Sequence, residues 1–226
     1  MNSIERREAR YQRRKARRAR KAQEAGGKSF EQVMSFGNLC RAGKECCNGS
    51  RWKTSTINFE TDLLAESQKT YETIRDGTRK FRGFQSFATI EHGKRRDIDA
   101  LPIQERAAQK CLCKNLLVEA YARSFVYDNG ASLAGKGMDF QLRRLKKHLH
   151  DHYRRYGTQG GIYQFDFKGY FGSLPHDTIK ARARAKIKDD RLYSLFCDYV
   201  DDFLKMKTAD KAAERKHGVG RGSEIS

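Results

Sequence analysis

The sequence predicts an α+β chain, mostly helical with a small antiparallel sheet, preceded by a basic N-terminal arm. Three observations carry this. Only two prolines, Pro102 and Pro175, interrupt 226 residues, so long helices are permitted. Apolar residues recur at helical spacing over 59–76, 104–125 and 138–156. Two stretches, 84–100 and 162–167, alternate instead with the two-residue period of a strand.

Composition narrows the partners. Lysine and arginine total 47 against 28 acidic residues, a net charge of +19. Self-repulsion on that scale opposes compactness, and its usual reason is a polyanionic partner. No apolar run approaches the ~18 residues of a spanning helix. The basic N-terminus lacks the apolar core of a secretory signal. Nucleic acid is therefore favoured and no membrane partner is expected. The six cysteines, Cys40, Cys46, Cys47, Cys111, Cys113 and Cys197, form no paired Cys-x-x-Cys ribbon. Reduced thiols in a cytoplasmic protein are expected, with zinc at Cys40, Cys46 and Cys47 the minor alternative.

The elements follow in order. Residues 1–28 hold eleven lysines and arginines against three glutamates, with almost no apolar face. This is a disordered or solvated helical arm that orders on RNA. Arg10, Arg13, Arg14, Arg17 and Arg18 are its candidate nucleic-acid contacts, and Gly26-Gly27 reads as a linker. An N-terminal helical extension covers 29–80. It includes Leu63, Leu64, Tyr71 and Ile74 at helical spacing, ending near Asp76-Gly77. Residues 81–160 open with a hairpin that turns at His92-Gly93 and carries a basic tip at Lys94, Arg95 and Arg96. A helix over 104–125 follows. The helix at 138–156 sets Met138, Leu142, Leu145, Leu149 and Tyr156 opposite a basic face, on which Arg143 and Lys147 are candidate phosphate contacts. Residues 161–226 begin with a strand, Ile162 to Phe167. Tyr163, Phe165 and Phe167 are expected to meet the core, with Asp166 on the other face at the strand's end. Helices at 175–188 and 190–206 follow.

The densest motif runs Asp166-Phe167-Lys168-Gly169-Tyr170-Phe171-Gly172-Ser173-Leu174-Pro175-His176. A carboxylate at a rigid strand end suits a hard divalent cation. The string resembles the first palm motif of reverse transcriptases of the bacterial retron and group II intron type, D-[IF]-K-[GK]-[FY]-F-x-S-[IL]-x-H. The resemblance implies a right-hand polymerase, with fingers over 81–160 and a partial palm over 161–226. It implies RNA-directed DNA synthesis from dNTPs on an RNA template with a DNA or RNA primer, using two Mg²⁺ ions. Asp166 is then the catalytic carboxylate bridging both ions, and the Phe167 carbonyl touches the nucleotide-side ion. Phe171 is the bulky gate against a ribose 2′-OH, its alternative being a core aromatic. The roles of this type include retrons, introns, antiviral defence and diversity generation.

Three further segments resemble the family, one of them the glycine-containing loop Asn129–Leu133 and Gly135-Lys136-Gly137 before the long helix. Lys94-Arg95-Arg96-Asp97-Ile98, Leu101-Pro102 and Glu105-Arg106 match its fingers pattern. By that match Lys94 and Arg96 cover the triphosphate, with Arg95 as an alternative to Lys94. Arg106 and Gln109 open the next helix and brace the fingers. Gly218-Val219-Gly220-Arg221-Gly222-Ser223-Glu224-Ile225-Ser226 resembles the second palm motif, in which Gly222 lets backbone approach the substrate. Tyr199-Val200-Asp201-Asp202 spells the family's catalytic Y-x-D-D, yet it precedes the second palm motif. It also sits in a helical stretch with Leu192, Leu195, Tyr199 and Phe203 on one stripe. It is read as a helix with an acidic, solvated face. The family's Y-x-D-D hairpin and thumb would follow residue 226, so the expectation is a fragment inactive alone. The rivals are a non-catalytic RNA-binding protein derived from this fold, and an unrelated basic nucleic-acid-binding protein.

Overall fold

The computed structural model describes residues 3–122, 124–131, 133–205 and 217–219, with the side chains of Glu91 and Lys94 left aside. Among these the chain is mostly helical with one two-stranded antiparallel sheet. Two compact units separate. The first joins the chain up to residue 122 with the chain from 169 onward, and the second is 123–168.

The first unit begins with α1 (Ser3–Gly26). Its central arginines are exposed, and only Ala25 and Gly26 are buried. The arm is therefore helical up to Gly26, and Gly26-Gly27 is not a free linker. A Cβ on Gly26 would stand 2.2 Å from the Lys186 carbonyl oxygen, and the Gly26 carbonyl accepts from Lys188 N at 3.0 Å. Close backbone approach explains this glycine. Helices α2 (Phe30–Val33), α3 (Phe36–Cys47), α4 (Thr54–Thr61) and α5 (Leu63–Arg75) follow. The stretch 59–76 is thus two helices that break at Asp62, and its second half ends at the Asp76 cap as expected.

Strands β1 (Gln85–Glu91) and β2 (Lys94–Ala100) form the hairpin in the expected place. His92 and Gly93 both adopt positive φ, 50° and 73°, the backbone of a tight turn that matches strand twist. The register pairs Phe87 with Ile98 and Thr89 with Arg96. Alternation puts positions 94 and 96 on one face and 95 on the other. Then α6 (Ile103–Leu112), a π-helical turn (Cys113–Leu117) and α7 (Val118–Tyr121) form one irregular helix. The second unit holds α8 (Met138–Tyr156). Beyond residue 168 come α9 (Tyr170–Ser173), α10 (His176–Arg184) and α11 (Asp190–Asp201).

The core joins α2, α3, α6, α10 and α11 through Phe30, Met34, Leu39, Leu112, Ile187, Leu192 and Tyr199, all at most 2% exposed. The stripe Leu192, Leu195, Tyr199 and Phe203 is buried, as its helical spacing predicts. Asp189 ties two elements to this core. One carboxylate oxygen accepts from Leu192 N at 3.0 Å and the other from Phe30 N at 2.9 Å. It thereby satisfies orphan donors at the starts of α11 and α2.

In the second unit, Asp128 accepts from Arg144, and His148 Nε2 lies 2.6 Å from its other oxygen. Lys136 sits over the rings of Tyr127 and Phe140. These contacts fold the segment 127–136 onto α8. Nothing on α8 is buried; its apolar stripe is open at Met138, Leu142, Leu145 and Leu149.

Candidate functional site: the paired palm-like motifs

The first motif is divided between the two units. Asp166 and Phe167 end the second unit, while Phe171 to His176 belong to the first. The strand expected over 162–167 does not form. The segment is outside the sheet and carries no strand. Tyr163, Phe165 and Phe167 are 94%, 81% and 68% exposed rather than buried in a core. The physical reason is pairing: alternation favours an extended chain, but a strand exists only when its N–H and C=O groups meet a neighbour. No described segment supplies one here. Asp166 is exposed in this segment.

The remainder of the motif is closely built. Short α9 starts after Gly169, and Phe171 on it is 38% exposed with its ring 5.6 Å from that of Tyr170. Phe171 is therefore not a core aromatic. Three contacts bring the start of the second motif onto this segment. Val219 N donates to the Phe171 carbonyl and Gly218 N to the Leu174 carbonyl, each at 2.8 Å. Pro175 and His217 form an isolated antiparallel bridge. The fit requires glycine at 218. Its φ is +101°, and a Cβ there would come within 2.9 Å of the Phe171 carbonyl oxygen and of the Phe203 ring.

His176 fastens this junction. It is 5% exposed, with Nε2 2.6 Å from the Gly218 carbonyl and Nδ1 3.1 Å from Asp201 Oδ1. Lys180 Nζ reaches the same carboxylate at 2.7 Å. Burial pushes the Asp201 carboxyl up, but the hydrogen bonds from Lys180 and His176 outweigh it and hold the group below the usual aspartate range.

The Y-x-D-D string lies at the end of α11, with Tyr199 and Asp202 buried and no hairpin. Its expected solvated acidic face is corrected by the packing. Asp202 is fully buried and accepts from Arg79 Nη2 at 2.5 Å, and that nitrogen also reaches Glu105 Oε2 at 2.6 Å. Arg79 lies 4.4 Å from the Tyr199 ring centroid. Burial pulls the Arg79 pKa down, but Tyr199, Glu105 and Asp202 more than offset it and leave it above the usual arginine value. Sequence spacing holds no sign of this network, because Arg79 and Asp202 are far apart along the chain.

The other candidates are placed as follows. The Lys94 backbone opens β2, and Arg95 and Arg96 are exposed near the hairpin tip. Arg106 lies on α6 beside buried Glu105, and Gln109 is fully buried there. Arg10, Arg13, Arg14, Arg17 and Arg18 are exposed on α1, and Arg143 and Lys147 are exposed on α8. Gly222, with the rest of the second motif beyond residue 219, lies outside the described residues. The six cysteines are all free thiols. Burial pushes the Cys111 thiol up to about 12.

Among the described residues, no group of three or more His, Cys, Asp or Glu side chains is placed to hold a metal ion. No described helix is long and apolar enough to cross a membrane. No protein-family model matches the chain, and a comparison with curated proteins returned no match.

Proposed function

We propose, first, that this is a nucleic-acid-binding protein. Its net charge of +19 is concentrated in an exposed basic helix, a basic hairpin tip and the basic face of α8. More specifically, we propose that it carries the fingers and palm-like motifs of an RNA-directed DNA polymerase. It would act with an RNA template, a primer and dNTPs in the cytoplasm, with Mg²⁺ at Asp166. One observation carries this reading: parts of the two segments that resemble consecutive palm motifs, 171–176 of the first and Gly218-Val219 of the second, are hydrogen-bonded to each other although about forty residues separate them. An accidental motif in an unrelated basic protein gives no reason for that pairing. The exposure of Asp166 agrees with a role toward a ligand rather than in a core.

RNA-templated primer extension tests it, on residues 1–226 and on any longer natural chain that contains them. Extension is expected of such a longer chain, and Asp166→Ala is expected to abolish it. Residues 1–226 alone are expected to give none, because Asp166 is the one carboxylate that the resemblance assigns to the two ions. Extension that survives Asp166→Ala would sink the polymerase reading. RNA binding without extension favours a non-catalytic RNA-binding protein, a reading supported by the absence of a strand over 162–167.

A further inference from the structure

A second feature of the first unit lies apart from the palm-like motifs. A cleft of about 260 Å³ opens between α5, the segment 78–82 and α6. Four cations line it, Lys69, Arg79, Lys80 and Arg82, against one carboxylate, Glu105. Lys69, Lys80 and Arg82 are exposed, and no side-chain ion pair neutralises them among the described residues. Cations gathered around one concavity without counter-charges repel each other. A polyanion relieves that repulsion and releases its own counterions on binding.

Arg79 adds a built element. It is 12% exposed, and its Nε and Nη2 are committed to Glu105 and Asp202. Its Nη1 has no hydrogen-bond partner among the described residues. A guanidinium already held in place loses little freedom when it meets a ligand, and its geometry suits phosphate oxygens. Glu105 and Asp202 together offset the charge of Arg79, so net attraction rests on Lys69, Lys80 and Arg82. Ile74, Phe81 and Ala108 add apolar surface, and three threonines and Gln104 add uncharged polar groups, a mixture that suits sugars and bases better than a bare ion. Lys69 on α5 and Lys80 and Arg82 on the facing segment 78–82 are three separate unneutralised cations, which match successive phosphates of a strand better than one phosphate group.

We infer that this cleft binds the phosphodiester backbone of a single-stranded nucleic acid. The inference takes its ligand class from the nucleic-acid reading above, and it does not depend on polymerase activity.

The experiment measures fluorescence anisotropy of a labelled single-stranded RNA with the full chain at several salt concentrations. One variant combines Lys69→Gln, Lys80→Gln and Arg82→Gln. A reference variant removes equal charge outside the cleft with Lys44→Gln, Lys53→Gln and Lys188→Gln. The cleft variant is expected to bind ~tenfold or more weakly, with a salt slope shallower by about 0.7 for each phosphate it no longer neutralises. The reference variant is expected to lose much less affinity. Equal losses in both variants overturn the inference and leave general RNA binding intact. On the unaltered chain, bound RNA should shield Lys69 and Lys80 from acylation, read by mass spectrometry. This reading is independent of how the variants fold. Unshielded lysines under saturating RNA overturn the site. Shielding by a nucleoside triphosphate but not by RNA assigns it to free nucleotides and overturns the strand. RNA binding through the cleft without primer extension supports the inference while the polymerase reading fails.

Discussion

Arg79 shows how much one side chain can carry in this fold. It joins the segment before the hairpin to α6 through Glu105 and to the end of α11 through Asp202. Removing Asp202 strands a buried guanidinium beside Glu105, so Asp202→Ala is expected to cost ~3–5 kcal/mol. Asp201→Ala leaves buried His176 without its Nδ1 partner and is expected to cost ~1–3 kcal/mol. Urea denaturation of the two variants measures both. Losses within about 0.5 kcal/mol in each, the range of an ordinary surface change, would show that neither carboxylate is structural. The spelling of the Y-x-D-D string was legible in the sequence, and so was its helical setting. Its buried ion pairing was not, because Arg79 reaches Asp202 only when distant segments pack.

Among the elements, the starts of α2 and α11 share one cap. Asp189 accepts from Phe30 N and from Leu192 N, so one substitution frays two helices that meet in the core. Asp189→Ala is expected to lower stability by ~1–2 kcal/mol, more than a typical single cap. Asp189→Asn, which keeps an acceptor oxygen, should recover part of it. Thermal unfolding of the two variants is the measurement. A fully neutral Asp189→Ala would mean that packing alone positions these helices. The second unit has its own fastening. Hydrogen bonds from Arg144 and then His148 hold the Asp128 carboxyl down to about 2. Its folded pKa lies below the unfolded value near ~3.9. The stabilisation is therefore complete above that value and is lost as pH falls toward 2. Near-ultraviolet circular dichroism from the Tyr127–Phe140 pair should report loop release across that window. An unchanged signal down to pH ~2 would exclude the Asp128 hydrogen bonds as the fastening.

At the scale of the whole molecule, charge governs association. The arm is a formed helix whose last turn packs, with Ala25 and Gly26 buried and Lys28 bonded to the Asn115 carbonyl and to Glu119. Deleting 1–28 would therefore disturb the fold as well as the charge. Replacing Arg10, Arg13, Arg14, Arg17 and Arg18 by Gln isolates the electrostatics, since these side chains are exposed. RNA affinity should fall across sequences alike. The salt slope should become shallower by about 0.7 for each arginine that meets a phosphate of a single strand. A slope equal to that of the unaltered chain would make the arm a bystander.

The sequence by itself determined the helical character of the chain, the hairpin at 85–100 and the burial of one face of α11. Each follows from local periodicity and turn chemistry, which need no distant partner. It also marked the motif around Asp166 and the second motif near 218. Tertiary structure decided what periodicity cannot encode. The alternating segment 162–167 forms no strand, because alternation favours an extended chain without supplying the neighbour that a ladder needs. The apolar stripe of α8 stays open, because amphipathicity specifies a face and not what covers it. His176, Asp201 and Gly218 meet, and Arg79 finds Asp202, only through long-range packing. Contacts between residues far apart in sequence are set by the summed burial of the core, so no local pattern announces them.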